Sequence, residues 1–440
     1  MLERIFRLRE NGVAVRTEVM AGVTTFLTMA YIILVNPTIL ADAGMPAAGA
    51  AAATCLAAAF GSIMMGLFAN YPIALAPGMG LNAYFTYTVV KGMGLPWETA
   101  LGCVFLSGVA FLLLTFAGVR RMIVSAIPRE LFAAIAAGIG LFIAFIGLRS
   151  AGLVVADPAT TVALGDLTAP SAALAAFGLA VTGALLVWRI RAAMLVGILA
   201  TTLLAWGLGQ VAFDPAPYSV EALTSTAFRL DVPAALGLGG GGLTLALVEI
   251  LFVFLFVDLF DNVGTLVAVS KRAGIVDPGT GEIPRLNKVL VTDSAATMVG
   301  AVAGTTTTVS YIESAAGVAA GGRTGLTAVV VGLLFLVAMF LAPFAQAIPP
   351  AATAPALILV GAMMMAPLVE SDWTDPMVAI PGFLTLAAIP LTFSIANGLA
   401  LGIIAHAVLK LARGQARPAD WLLYLLAALF VVRFVWLAAG

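Results

Sequence analysis

An all-α membrane protein of fourteen transmembrane segments in two inverted seven-span repeats is the fold class that the sequence predicts, and three observations predict it. Of 440 residues, 62% are hydrophobic and only 10% charged, whereas a soluble domain needs about a quarter charged residues. The hydrophobic residues gather into segments of roughly 20, the length that crosses a bilayer as a helix. These segments divide, around one long polar stretch, into two sets of seven. Because seven is odd, the second set enters the membrane from the side opposite the first, which makes the repeat an inverted one.

Residues 1–16 mix charged and apolar side chains (LERIFRLREN) and lead into a full-length span without a small-residue cleavage site. They read as a cytoplasmic amphipathic lead-in and not as a cleaved signal. The first seven spans are expected at 17–40, 48–69, 71–90, 97–117, 130–148, 171–188 and 192–209. Residues 210–242 then form a polar extracytoplasmic loop. Its glycine run, 239–242, lacks the G-x-x-x-x-G-K-[ST] spacing of a phosphate cradle and supplies flexibility instead. The second seven follow at 243–269, 287–303, 305–320, 324–341, 351–367, 376–391 and 394–411. Residues 413–440 hold a last apolar stretch, 421–439, which its length and Arg433 leave between an interfacial helix and another crossing.

Charge placement orients the spans. With the N-terminus in the cytoplasm, seventeen of the 21 basic residues lie inside and Lys91, Arg149 and Arg229 outside, Arg433 being unassigned. That is the bias the positive-inside rule requires. The loop holding Glu370, Asp372 and Asp375 has no basic residue, but acids weigh little in the rule. The expectation is a multi-pass protein of the cell membrane. The 21 basic and 22 acidic residues nearly cancel, which argues against a nucleic-acid partner. Cys55 and Cys103 fall in apolar segments and read as small core hydrophobes, with no disulfide, metal or redox role.

The third span of each half is interrupted in the same way. Pro77-Gly78-Met79-Gly80 breaks the helix after 71–76, and four consecutive threonines, Thr305 to Thr308, favour extended backbone before Tyr311-Ile312-Glu313. Each segment is expected to be a short strand feeding a half-helix. Extended backbone at membrane depth is tolerated where it is paired or lines a cavity, and matching interruptions in two halves point to a transporter's site. Asn82 and Glu313 fall near the first turns of these half-helices, whose N-termini offer partial positive charge and N–H donors. Asp258 and Asp261 interrupt the apolar run 243–269, together with Glu249. An ionised acid at a bilayer centre costs about 2.5 to 3.5 kcal/mol even on the lenient scale, so each is a site candidate. Three residues apart is about 60° around a helix, which lets Asp258 and Asp261 face one cavity. Asn82, Asp258, Asp261 and Glu313 together suit a small polar heteroaromatic with adjacent N–H and C=O groups. The plainer alternative is that Asn82 caps its helix and Glu313 pairs with Arg323.

Other features carry less. Glu249 lies toward the outer end of its segment, and His406, the only histidine, reads as structural more readily than as a proton relay. No Walker A sequence powers a pump and no H-E-x-x-H seats a catalytic zinc. An intramembrane enzyme using the Asp258/Asp261 pair is the runner-up class, though three residues along one helix is poor geometry for a shared-proton dyad. A channel would want rings of repeated ligands rather than one asymmetric pocket.

The stretches TTFLTMAYIILVNP (24–37), APGMGLNAYF (76–85), FVDLFDNVGTLVAV (256–269) and TTTTVSYIESAAGVAAGGRTGL (305–326) resemble the AzgA-like adenine, guanine and hypoxanthine permeases, a branch of the nucleobase transporters that includes uracil and xanthine permeases. The resemblance covers nearly the whole chain and fades beyond Leu411. It implies a core domain (17–117 and 243–341) and a gate domain (118–209 and 342–412). It also implies uptake of purine nucleobases by proton symport, with no cofactor beyond the proton gradient. Xanthine or uracil is the alternative substrate, and monomer and homodimer both stay open. The family's recognition and transport residues fall here on Asn82, Asp258, Asp261 and Glu313. Within that frame Glu313 and Asp258 are expected to touch the purine, and Asp261 to carry the proton. Tyr311, with Tyr84 or Phe85, is expected to stack on the ring.

Overall fold

The computed structural model describes residues 2–117, 129–212, 214–215, 218–238, 245–276 and 283–439. The glycine run 239–242, the start of the segment expected at 243, and Arg120 and Arg121 lie outside these residues. The protein is mostly helical. Among the described residues, eight helices are long and apolar enough to cross a membrane, from Val15–Ala41 to Ile395–Ala412. Leu245–Arg272 and Leu286–Ala303 fill the eighth and ninth places, and the shorter apolar helices Ala193–Gly207 and Pro376–Leu391 the seventh and thirteenth. The remaining two places are the interrupted segments around residues 71–93 and 305–319.

Those two segments explain most of the architecture. Strand β1 (Leu75–Pro77) follows a left-handed Asn70 and precedes the helix beginning at Met79. A hairpin after the fifth span supplies β2 (Val154–Asp157) and β3 (Thr161–Leu164), and β4 (Thr308–Ser310) lies in the tenth. Strands β1 and β4 pair antiparallel, Leu75 with Ser310, Ala76 with Val309 and Pro77 with Thr308. Gly78 N–H to the Thr307 carbonyl (2.9 Å) and Tyr311 N–H to the Ala74 carbonyl (3.0 Å) extend the pairing at both ends. Each strand thus satisfies the other's backbone where no water is available to do so. Gly304, at φ +99°, ends the helix before β4, and a β-carbon there would fall 2.3 Å from Thr226 Oγ1. Only glycine fits that turn.

The hairpin β2–β3 is a departure from the expected strand content, which was confined to spans three and ten. Asp157 closes it by accepting from the backbone N–H groups of Ala159 (2.8 Å) and Thr160 (2.9 Å). Those bonds, led by Thr160, hold its carboxyl below the ordinary range. The signal was the β-branched clusters Val154-Val155 and Thr160-Thr161-Val162 on either side of Asp157-Pro158, too short to stand out beside 20-residue apolar runs. The polar stretch after the seventh span is also more ordered than a loop. It carries two short helices, Val220–Leu223 and Val232–Ala235, capped by Ser219 and Asp231. It docks through Phe228 N–H to the Val302 carbonyl (2.8 Å) and Asp231 N–H to the Glu98 carbonyl (2.9 Å).

The chain forms two compact units, Met1–Thr115 with Gly147–Ala356, and Phe116–Ile146 with Leu357–Gly440. In the first, Met65, Tyr71, Ile73, Leu75, Leu266 and Val289 build a core cluster around the entry to β1. A β-carbon on Gly325 would meet the Gly66 carbonyl at 2.0 Å, so these two glycines let their helices approach backbone to backbone. In the second unit, Lys410 pairs with Asp420 (Nζ–Oδ2 2.8 Å) and Arg433 Nη1 donates to Asn397 Oδ1 (3.0 Å). The Lys410 ammonium holds the Asp420 carboxyl below its usual range. Residues 397 and 410, and 420 and 433, are equally spaced in sequence, so the two contacts pin Trp421–Ala439 antiparallel along Ile395–Ala412 for about 20 Å at 1.5 Å per residue. The last helix therefore runs beside a span instead of lying across the helix ends.

Candidate functional site

Antiparallel pairing of β1 and β4 brings the starts of two half-helices to one crossing. From β1 the chain continues as Met79–Ala83 and a π-helical stretch, Tyr84–Val90. From β4 it continues through Tyr311 and Glu313 into Ser314–Ala319. A third element meets them: the first span is interrupted between Val15–Met29 and Ile32–Ala41, which places Tyr31 beside the crossing.

Glu313 is half-buried and accepts a hydrogen bond from the Tyr31 hydroxyl at 2.9 Å. Asp261 is half-buried too, with Oδ2 3.6 Å from where a β-carbon on Gly78 would stand. The Asp261 and Glu313 carboxylates are close enough to repel each other, and both act on the Tyr311 hydroxyl. That hydroxyl donates to the Pro77 carbonyl at 2.5 Å, tying the tenth span back to β1. Asn82 is fully buried and its Oδ1 accepts from the Thr306 hydroxyl. It joins the two interrupted segments from the opposite side.

The expected residues therefore divide. Asp261, Glu313 and Tyr311 share one electrostatic neighbourhood at the crossing, and Asn82 braces it. Asp258 is 2% exposed on the same helix as Asp261. Tyr84 and Phe85 are both 0% exposed, and Tyr84 lies edge-on to Phe254 at 5.3 Å between ring centroids. All three rings are enclosed, Tyr311 being 6% exposed. The plainer alternatives are not what the structure builds. Asn82 makes no capping bond, its helix starting at Gly78, and the Arg323 guanidinium bonds the carbonyls of Val318 and Gly322, each at 2.7 Å, rather than Glu313.

Three contributors escaped the sequence reading. Tyr31 holds Glu313. Thr306 holds Asn82, and the run of four threonines flagged the segment without saying which one would do so. Glu18, 0% exposed, accepts from the backbone N–H groups of Arg323 (2.8 Å), Thr324 (3.1 Å) and Thr327 (3.2 Å) and from the Thr327 hydroxyl (2.6 Å). It satisfies orphan donors at the start of helix Gly325–Ala338 and lays a negative charge on its positive end. Chemically, the crossing presents carboxylate acceptors, phenol hydroxyls and backbone ends.

Residues 16–401 match the model Xan_ur_permease, described as a permease family. The chain is 45% identical over 439 residues to the adenine permease AdeP of Escherichia coli (strain K12), covering 100% of this chain and 97% of that protein. It is 42% identical over 433 residues to the guanine/hypoxanthine permease PbuO of Bacillus subtilis (strain 168), covering 98% and 99%. Among solved structures, the transmembrane domain of a cyanobacterium bicarbonate transporter, BicA, superposes with a TM-score of 0.65 at 17% identity, over 88% of this chain and 97% of that one. That likeness concerns the fold.

Proposed function

The chain belongs to this permease family and is a transporter rather than an enzyme, and from that premise we propose that it imports purine nucleobases by proton symport. The carrying observation is the crossing itself, where Glu313, Asp261 and Tyr311 meet. The names of the adenine and guanine/hypoxanthine permeases at 42–45% identity supply the substrate class.

In this reading Glu313 accepts from ring or exocyclic N–H groups of the purine, oriented by Tyr31, and Asp258 supplies a further acceptor. Asn82, braced by Thr306, contributes through the position of its half-helix. Tyr311 offers its ring face for stacking, with Tyr84 or Phe85 opposite, once the cover over these buried rings opens. A neutral purine brings no charge, so concentrative uptake needs a titrating group, and Asp261 is assigned that role. A proton on Asp261 removes its repulsion with Glu313. The proton gradient serves as the energy source, the N-terminus lies in the cytoplasm, and the protein resides in the cell membrane. The core (17–117 and 243–341) would carry the site against the gate (118–209 and 342–412).

Uptake of radiolabelled adenine, guanine and hypoxanthine by cells lacking their own purine import, with and without an uncoupler, tests the proposal. Accumulation abolished by the uncoupler is expected. Uptake of xanthine or uracil alone would replace the substrate class, and accumulation indifferent to the uncoupler would remove the proton.

A further inference from the structure

Away from the crossing, the first unit holds a partly open cavity of about 370 Å3 whose wall includes Asn11, Asn70, Gly274, Pro284, Arg285 and Arg323. That volume is in the range of small-molecule sites, roughly 300–1,000 Å3. Its wall is polar, and it holds two guanidinium groups and, among the described residues, no carboxylate. Two like charges facing one cavity repel, and an anion between them turns that cost into attraction.

The arginines are held in place by their surroundings. Arg323 Nη1 is committed to the Val318 and Gly322 carbonyls, and the remaining guanidinium N–H groups make no bond to a described residue. The Arg285 guanidinium lies over the Tyr71 ring, 5.2 Å from its centroid, and the Tyr71 hydroxyl donates to the carbonyl of neighbouring Pro284 at 2.5 Å. Asn70 is bonded at both ends of its amide, to the Phe6 carbonyl (3.2 Å) and from Gly325 N–H (2.7 Å). The wall is thus preorganised. It is also strained: Asn70 and Arg285 both sit at φ +55°. Asparagine tolerates that region but arginine seldom occupies it, and such strain persists where the surroundings over-determine it, commonly at ligand sites.

Arg285 and Arg323 lie in loops that the charge bias assigns to the cytoplasm, where anionic headgroups and soluble phosphates both occur. Planar guanidiniums recognise phosphate oxygens in pairs, and basic pockets between helices on this side take phosphorylated headgroups. We propose that this cavity is a binding site for a phosphate group, carried either by an anionic lipid headgroup or by a soluble phosphate, with Arg285 and Arg323 as its charged ligands.

The full chain is purified into nanodiscs and its thermal unfolding midpoint is followed in two arms. One titrates inorganic phosphate into phosphatidylcholine discs against chloride at equal ionic strength; the other replaces phosphatidylcholine by phosphatidylglycerol. Arg285→Gly, which relieves the left-handed backbone while removing the guanidinium, and Arg323→Gln are compared with Arg417→Gln, an exposed arginine outside the cavity. Each cavity variant should raise the concentration of phosphate or phosphatidylglycerol needed for half the shift by about tenfold or more, the loss of one charged partner. Arg417→Gln should match the wild type. A response to phosphatidylglycerol alone assigns the site to lipid, and a response to inorganic phosphate alone assigns it to a soluble ligand. No wild-type shift in either arm, or a shift of equal size in both cavity variants, overturns the proposal. Because the readout is stability, the result is independent of whether purines are transported.

Discussion

Tyr31→Phe deletes one oxygen and keeps the ring. Tyr31 is 2% exposed and its hydroxyl donates to Glu313 at 2.9 Å, so the variant retains the packing and loses the bond. A hydrogen bond to a charged group contributes about 1.5 to 3 kcal/mol, equivalent to roughly 10- to 150-fold in an equilibrium constant. With Glu313 as the proposed purine acceptor, Tyr31 would act on the purine through Glu313, which transmits part of that energy. About a tenfold rise in KM for adenine, with maximal velocity within about twofold, is therefore expected from initial-rate uptake normalised to protein in the membrane. A double-mutant cycle with Glu313→Gln isolates the coupling. Glu313→Gln alone should weaken purine binding roughly ten- to a hundredfold, and adding Tyr31→Phe to it should change KM by less than about twofold. A wild-type KM in Tyr31→Phe, or the same tenfold factor in both backgrounds, would refute the claim that Tyr31 works by positioning Glu313.

Asp261→Asn should bind adenine and exchange it across the membrane at equilibrium, yet fail to accumulate it; uncoupler-sensitive accumulation by that variant would place the proton elsewhere. Tyr311→Ala should weaken adenine, guanine and hypoxanthine by similar factors, in the 1 to 3 kcal/mol range of base stacking. A loss confined to one purine, seen in competition assays, would instead indicate a specific hydroxyl contact, and Tyr311→Phe, which severs only the bond to Pro77, separates the two. Glu18→Gln leaves buried donors of helix Gly325–Ala338 with a weaker acceptor, at a cost of about 1 to 3 kcal/mol. It should lower the unfolding midpoint in detergent while leaving the KM for adenine unchanged, and an altered KM at wild-type stability would contradict a purely structural role.

What the sequence made legible follows the range of the interaction concerned. Crossing positions could be read because burying a span in lipid needs a contiguous apolar run. The interruptions at Pro77-Gly78 and Thr305 to Thr308 could be read because they arise from local backbone preferences. The pairing of β1 with β4 could not, since its partners are more than two hundred residues apart and three-residue strands carry no alternation. The break at Ala30-Tyr31 has neither proline nor glycine beside it. Contacts across the fold decide it, and with it the role of Tyr31. Glu18 reads locally as one more acid near a charged lead-in; the donors that explain it come from Arg323, Thr324 and Thr327.

The crossing also bears on the proposed coupling of purine and proton. Antiparallel strands send their two half-helices away in opposite directions, so both N-termini face the place where the strands meet. Their partial positive charge favours acids there, which accounts for Glu313 and Asp261 being tolerated at membrane depth. Two carboxylates at one crossing exceed what a neutral purine can compensate, because it brings hydrogen-bond donors but no charge. In the proposed cycle a proton taken up at Asp261 supplies that compensation, while Glu313 keeps accepting from the Tyr31 hydroxyl. Under that proposal substrate and proton meet different carboxylates, so that each favours the other's binding without touching it.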